Sequence, residues 1–141
     1  MNLNKLGTIF ALIASVLTII LSIISILMGY MIDALLGDPM ISAVVNTALP
    51  FFFIYLTIGI VALVIACISF MEGKQRIFAI TNLSIHAVLV IYTAIISMLN
   101  MPLIIETGEN LPIAAFATIF TILLIASIIG TVGGCLKLKE D

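Results

Sequence analysis

Charge is what this sequence has least of. Only 9% of its 141 residues are Asp, Glu, Lys or Arg, against 64% hydrophobic residues and a mean hydropathy of +1.43. A water-soluble domain of this size needs far more polar surface, so a soluble fold is excluded. The five basic residues form no cluster of four or more, which argues against nucleic acid as a partner and against strong anionic-lipid recognition. There is no Trp and there are two cysteines, Cys67 and Cys135, with no neighbouring Cys or His at ligand spacing, so neither zinc nor dithiol redox chemistry is indicated. Both are expected as free thiols serving as small buried apolar residues, with acylation of Cys135 as the other use. No nucleophile stands beside a base, and no glycine-rich phosphate loop or facing pair of carboxylates occurs; Glu106 and Glu109 read as a solvated pair. The expectation is a protein without catalytic residues, metal or cofactor.

What the sequence has instead is apolar length. A hydrocarbon core about 30 Å thick needs roughly 20 apolar residues per helix. Four stretches qualify: Leu6 to Ile32, Pro50 to Met71, Ile77 to Leu99 and Ile113 to Leu136. The predicted fold class is an all-α bundle of four transmembrane helices, up-down-up-down, forming a single integral membrane domain over residues 1–141. The first stretch is too long for the apolar region of a cleaved signal peptide and reads as a retained anchor. Asp38-Pro39 reads as an N-cap followed by proline at the first helical position, and Ile41, Val44, Val45 and Ala48 follow at helical spacing, predicting a short helix on the outer membrane surface. The tightest turn is expected at Glu72 to Arg76, with Gly73 as cap, making helices 2 and 3 an antiparallel hairpin.

The few charges orient this bundle. Lys5, Lys74, Arg76, Lys137 and Lys139 all fall in segments that would share one membrane face, while Asp33, Asp38, Glu106 and Glu109 fall in the other loops. By the positive-inside rule both termini are cytoplasmic. Tyr30, Phe51, Phe52, Phe53 and Tyr55 are expected at the outer interface, and Phe70 and Phe78 at the inner one.

Lipid tails are as apolar as leucine, so helices in a bilayer associate through close backbone approach and hydroxyl hydrogen bonds. Helix 1 carries Gly7, Ala11, Ala14, Thr18, Ser22, Ser25 and Gly29 on a stripe of roughly 80°. Helix 2 carries Tyr55, Gly59, Ala62, Ala66, Ser69 and Gly73, and helix 4 has Ala126, Gly130 and Gly134 in small-xxx-small spacing with Gly133 alongside. Gly7, Gly59, Ala126, Gly130 and Gly134 therefore define a helix-packing interface, used either within the chain or for a second subunit.

Helix 3 holds the one ionisable residue that is well inside a span. His86 shares a face of roughly 60° with Asn82, Thr93, Ser97 and Asn100. A histidine facing lipid would be costly, so this stripe should face inward, where Thr18, Ser22 and Ser25 could partner it. Two readings stand side by side. His86 is either neutral hydrogen-bonded glue, or a titrating or substrate-contacting group in a narrow polar path formed by Asn82, His86, Thr93, Ser97, Thr18 and Ser22, since imidazole ordinarily titrates near pH 6.5.

The Leu6-Gly7 opening of the first span, the longer outer loop, the tight basic inner turn and the closing Ile128-Ile129-Gly130-Thr131-Val132-Gly133-Gly134-Cys135-Leu136-Lys137 together resemble small four-helix membrane proteins of Gram-positive bacteria, a family catalogued as a domain of unknown function. This chain departs from that pattern in having less glycine in helix 3 and longer outer loops. The resemblance implies the fold and a bacterial plasma membrane, and no mechanism. The functional expectation is a non-enzymatic membrane protein acting through helix contacts with itself or another membrane component; the alternative is a small transporter or channel using the stripe around His86.

Overall fold

A computed structural model of the protein describes residues 3–71, 75–106 and 111–139. It comprises α1 (Leu3–Leu36), α2 (Pro39–Met71), α3 (Gln75–Glu106) and α4 (Leu111–Lys139), with no strand among the described residues. All four helices are long and apolar enough to cross a membrane. The expectations for Glu72, Gly73, Lys74 and Glu109, and for the side chains of Phe70, Asn100 and Glu106, lie outside the described residues.

The helices run well past the apolar stretches. At 1.5 Å per residue α1 and α2 are each about 50 Å long, against a hydrocarbon core of about 30 Å. The segment expected as a separate surface helix is instead the opening of α2, which continues through Pro50. Pro50 removes one donor from the ladder, but it is exposed and leaves intact a buried stripe of Val45, Leu49, Phe52 and Tyr55 that runs through it. Continuous packing on that stripe outweighs the lost bond. The Asp38-Pro39 start behaves as the sequence suggests: the Asp38 carbonyl accepts a bond from the Ser42 amide at 2.8 Å, and Pro39 opens the helix. Gly37 ends α1 at φ +55°, the left-handed cap that a residue with a Cβ rarely adopts, and its amide donates to the Asp33 carbonyl. Two residues therefore connect α1 to α2.

Packing is uneven around the bundle. α1 lies closely along both α2 and α4, and α3 packs closely on α4; α2 against α3, the expected hairpin, is much the slightest of these interfaces. Contacts between Gly7 on α1 and both Gly133 and Lys137 on α4 put the start of α1 and the end of α4 together, here called the termini end.

The core differs in kind between its two halves. Toward the opposite, far end the buried cluster is large and apolar: Ile26, Val45, Leu49, Phe52, Tyr55, Leu89, Ile96, Ile119, Phe120 and Leu123. Phe52 stacks on Phe120 with ring centroids 5.1 Å apart, and Tyr55 tilts against Tyr92 at 5.4 Å. Phe52 and Tyr55 thus belong to the core, correcting their assignment to an interfacial belt, while Tyr30 and Phe53 are exposed. Toward the termini end every buried apolar residue among the described ones is alanine, namely Ala11, Ala14, Ala62, Ala66, Ala79 and Ala126. The other buried residues described in that half are glycines, hydroxyl and amide residues, His86 and Lys137.

The two cysteines are free, and both are exposed on the outside of the bundle. This corrects their expected burial. Ala62, Ala66 and Ser69 take the inward face of α2, and Cys67, one position past Ala66, is turned about 100° away from it.

Candidate functional site

The polar residues of the termini-end half are the only concentration of chemistry among the described residues, and they fall into three groups. The first is self-contained. The hydroxyls of Thr8, Ser15, Thr18 and Ser22 on α1 each donate to the carbonyl four residues earlier, at 2.6–3.1 Å, and Ser25 does so at 2.6 Å. Ser127 on α4 closes on the Leu123 carbonyl in the same way. A Ser or Thr on a helix can reach that carbonyl, and in an apolar surrounding the bond satisfies the hydroxyl. Thr18, Ser22 and Ser25 therefore spend their donors on α1 itself and do not serve helix 3.

The second group lies at the termini end. Lys137, 1% exposed, runs its chain past Gly7 and donates from Nζ to Ser69 Oγ at 2.8 Å, while Ser69 donates to the Ala66 carbonyl. The sequence counts this lysine only among the charges of one membrane face, and the structure turns it inward. Ser69 lies in the last turn of α2, where free carbonyls and the helix dipole concentrate negative potential, and a cation placed there is stabilised. Lys137 thus brings a cation from α4 to the last turn of α2. The room for it comes from the α1–α4 crossing: a Cβ on Gly133 would stand 2.7 Å from the Gly7 carbonyl oxygen.

Asn82 and His86 on α3 form the third group. Both are completely buried, one helical turn apart on one face, and none of their four side-chain nitrogen and oxygen atoms has a hydrogen-bond partner among the described residues. The imidazole packs against α4 at Gly130, where a Cβ would collide with the ring; one turn on, a Cβ at Gly134 would stand 2.7 Å from the Leu83 Cβ. An unsatisfied buried polar group costs about 1–3 kcal/mol, so two such side chains in one place are a specific expense of this fold.

The other predicted members of the polar path are separated from this pair. Thr93 is buried but lies in the far half, bonded to the Leu89 carbonyl at 2.6 Å and to the Tyr55 hydroxyl at 2.5 Å. Between His86 and Thr93 the inward face of α3 is occupied by Leu89, itself fully buried, and beyond Thr93 by Ile96. Ser97 is only half-buried. The inward stripe is thus interrupted rather than continuous, and the stacked Phe52 and Phe120 fill the far half beside it.

The predicted packing residues Gly7, Gly59, Ala126, Gly130 and Gly134 are all buried within the chain. Gly7 meets α4, Gly59 meets Thr18 and Ile19 of α1, and Gly130 and Gly134 meet α3. Outward-facing positions are chiefly Ile, Leu and Val, as suits lipid contact. Sequence reasoning missed Asn4, Thr8, Ser15, Ser127 and Lys137 as buried polar residues, and placed Ser69 on the inward stripe of helix 2 without its bond to Lys137.

These features define a small four-helix membrane protein with one-sided interior polarity. Comparison of the chain with known protein families, with curated proteins and with solved structures gives no match.

Proposed function

We propose that this is a non-enzymatic protein of a bacterial plasma membrane, with both termini cytoplasmic, that acts through helix contact with a second copy of itself or with another membrane component. One observation carries the reading: three helix pairs are closely packed, while α2 and α3 meet only slightly. Such a seam suits a further helix, because association in a bilayer rests on packing surface rather than on a hydrophobic drive. The test is gentle solubilisation followed by mass measurement and partner capture, with engineered cysteine pairs across the seam. A second copy or a defined membrane partner crosslinked at α2 or α3 is the expected result. A lone monomer in several detergents and in nanodiscs would remove the proposal. Orientation is tested separately by labelling each terminus with a membrane-impermeant reagent in intact cells; both should stay unlabelled.

The second reading, a small carrier or channel, draws on the unpartnered Asn82 and His86. Against it stands the interruption of the polar stripe by Leu89 and the aromatic filling of the far half. Proton or solute flux in liposomes that is abolished by His86→Leu would favour transport, and flux that survives the substitution would take His86 out of the pathway.

A further inference from the structure

Asn82 and His86 behave unlike the other buried polar residues in their half of the bundle. Thr8, Ser15, Thr18 and Ser127 are satisfied by their own helices, and Ser69 is bonded to Lys137. Among the described residues Asn82 and His86 find no partner for any side-chain donor or acceptor, at zero exposure. Side chains four apart on a helix have Cβ atoms about 5–6 Å from each other, a separation that a molecule the size of water bridges.

The chemistry of the pair limits its guest. The amide supplies two donors and an acceptor, and a neutral imidazole supplies one of each, so a guest satisfying both must donate and accept. It must be uncharged, because the interior spans carry no carboxylate and the nearest buried cation on α4, Lys137, is engaged with Ser69. It must also be small: the ring rests on Gly130, and Leu83 rests on Gly134.

We propose that Asn82 and His86 form an interior water site at the α3–α4 interface, in which bound water bridges the amide and the imidazole. Buried water settles where two to four polar partners converge, and stays out of cavities lined by aliphatic groups. Both conditions appear on one face of α3. Asn82 and His86 supply the partners, and Leu89, one turn beyond, begins the apolar cluster and ends the hydrated region. The bound water gives the imidazole a proton-exchange partner deep in the bundle, on the termini side of the apolar filling. This inference does not depend on whether a partner docks at α2 and α3.

His86 is the only histidine in the chain, so histidine labelling reports on this site alone. The test uses the full chain with 15N-histidine in nanodiscs of perdeuterated phosphatidylcholine, measuring transfer of water proton polarisation to the ring nitrogens. Transfer is expected in the natural protein, reduced several-fold in Asn82→Leu and unchanged in Thr57→Val, which alters an exposed residue of α2. A ring that receives nothing from water in the natural protein overturns the proposal. So does equal transfer in Asn82→Leu, or transfer seen only when protonated lipid replaces the deuterated lipid. Should Asn82→Leu fail to fold, Asn82→Ser keeps one hydroxyl and is expected to give intermediate transfer; transfer as in the natural protein there also counts against the site.

Discussion

Gly130 is the seat of the His86 ring: a Cβ on this glycine would run into Cγ, Nδ1 and Cδ2 of the imidazole. The relationship explains a glycine in the middle of a transmembrane helix, where its flexibility would otherwise be a cost. It also predicts coupling. Gly130→Ala should destabilise the bundle by about 1–3 kcal/mol through overpacking, and His86→Ala should relieve most of that in the double variant. A thermal or denaturant cycle in detergent measures the coupling; two additive effects would mean that the ring moves aside without strain.

Lys137 and Ser69 give a second coupled pair. Hydrogen bonds to charged groups contribute about 1.5–3 kcal/mol, and losing the acceptor strands part of a buried ammonium. Ser69→Ala should therefore cost stability within roughly that range, while Ser69→Ala made in a Lys137→Met background should cost much less. Equal costs in the two backgrounds would show that Nζ does not depend on this hydroxyl.

The sequence was informative about faces and poor at partners. The inward residues of α1, from Gly7 and Ala11 through Thr18, Ser22 and Ser25 to Gly29, stand out in the sequence because small side chains at steps of three and four can only mean close approach. Asn82, His86 and Thr93 are equally legible as an inward stripe. Periodicity carries no information on rotamers, however, and so could not show that the Thr18 and Ser22 hydroxyls close on the carbonyls of Ala14 and Thr18. Nor could a charge rule foresee Lys137, whose long apolar stem lets it lie over Gly7 while its head reaches Ser69. At Pro50 the local rule for proline predicts a helix start, and it takes no account of the stripe of Val45, Leu49 and Phe52 that carries α2 through it.

Across α2 and α3, Tyr55 makes both a hydrogen bond and a ring contact. Its hydroxyl bonds Thr93 and its ring lies against Tyr92 and Phe120. Tyr55→Phe should cost only about 0.6–1.7 kcal/mol, the range for interhelical hydrogen bonds in membranes. Tyr55→Ala should cost about 3–5 kcal/mol, as large aromatic truncations in cores do. Comparable losses from the two variants would place the weight on the hydrogen bond instead of the ring.

The glycines should rank by what their missing Cβ would strike. At Gly133 the obstacle is backbone, the Gly7 carbonyl oxygen at 2.7 Å, and at Gly7 it is the Gly133 carbonyl oxygen at 2.5 Å. Neither can yield without separating α1 from α4. At Gly59 the nearest atom is Ile19 Cγ1 at 3.0 Å, and at Gly29 it is the Leu49 Cδ2 at 2.9 Å, both side-chain rather than backbone atoms. Substitution by alanine at Gly7 or Gly133 should therefore destabilise by at least 1–3 kcal/mol, about the usual cost of overpacking. At Gly59 or Gly29 the same change should be close to neutral, because alanine is the better helix former by about 1 kcal/mol and offsets a small rearrangement. Reversible unfolding of the four single variants under one detergent condition measures the order directly, and a loss at Gly59 as large as that at Gly133 would contradict the close α1–α4 crossing on which the buried position of Lys137 depends.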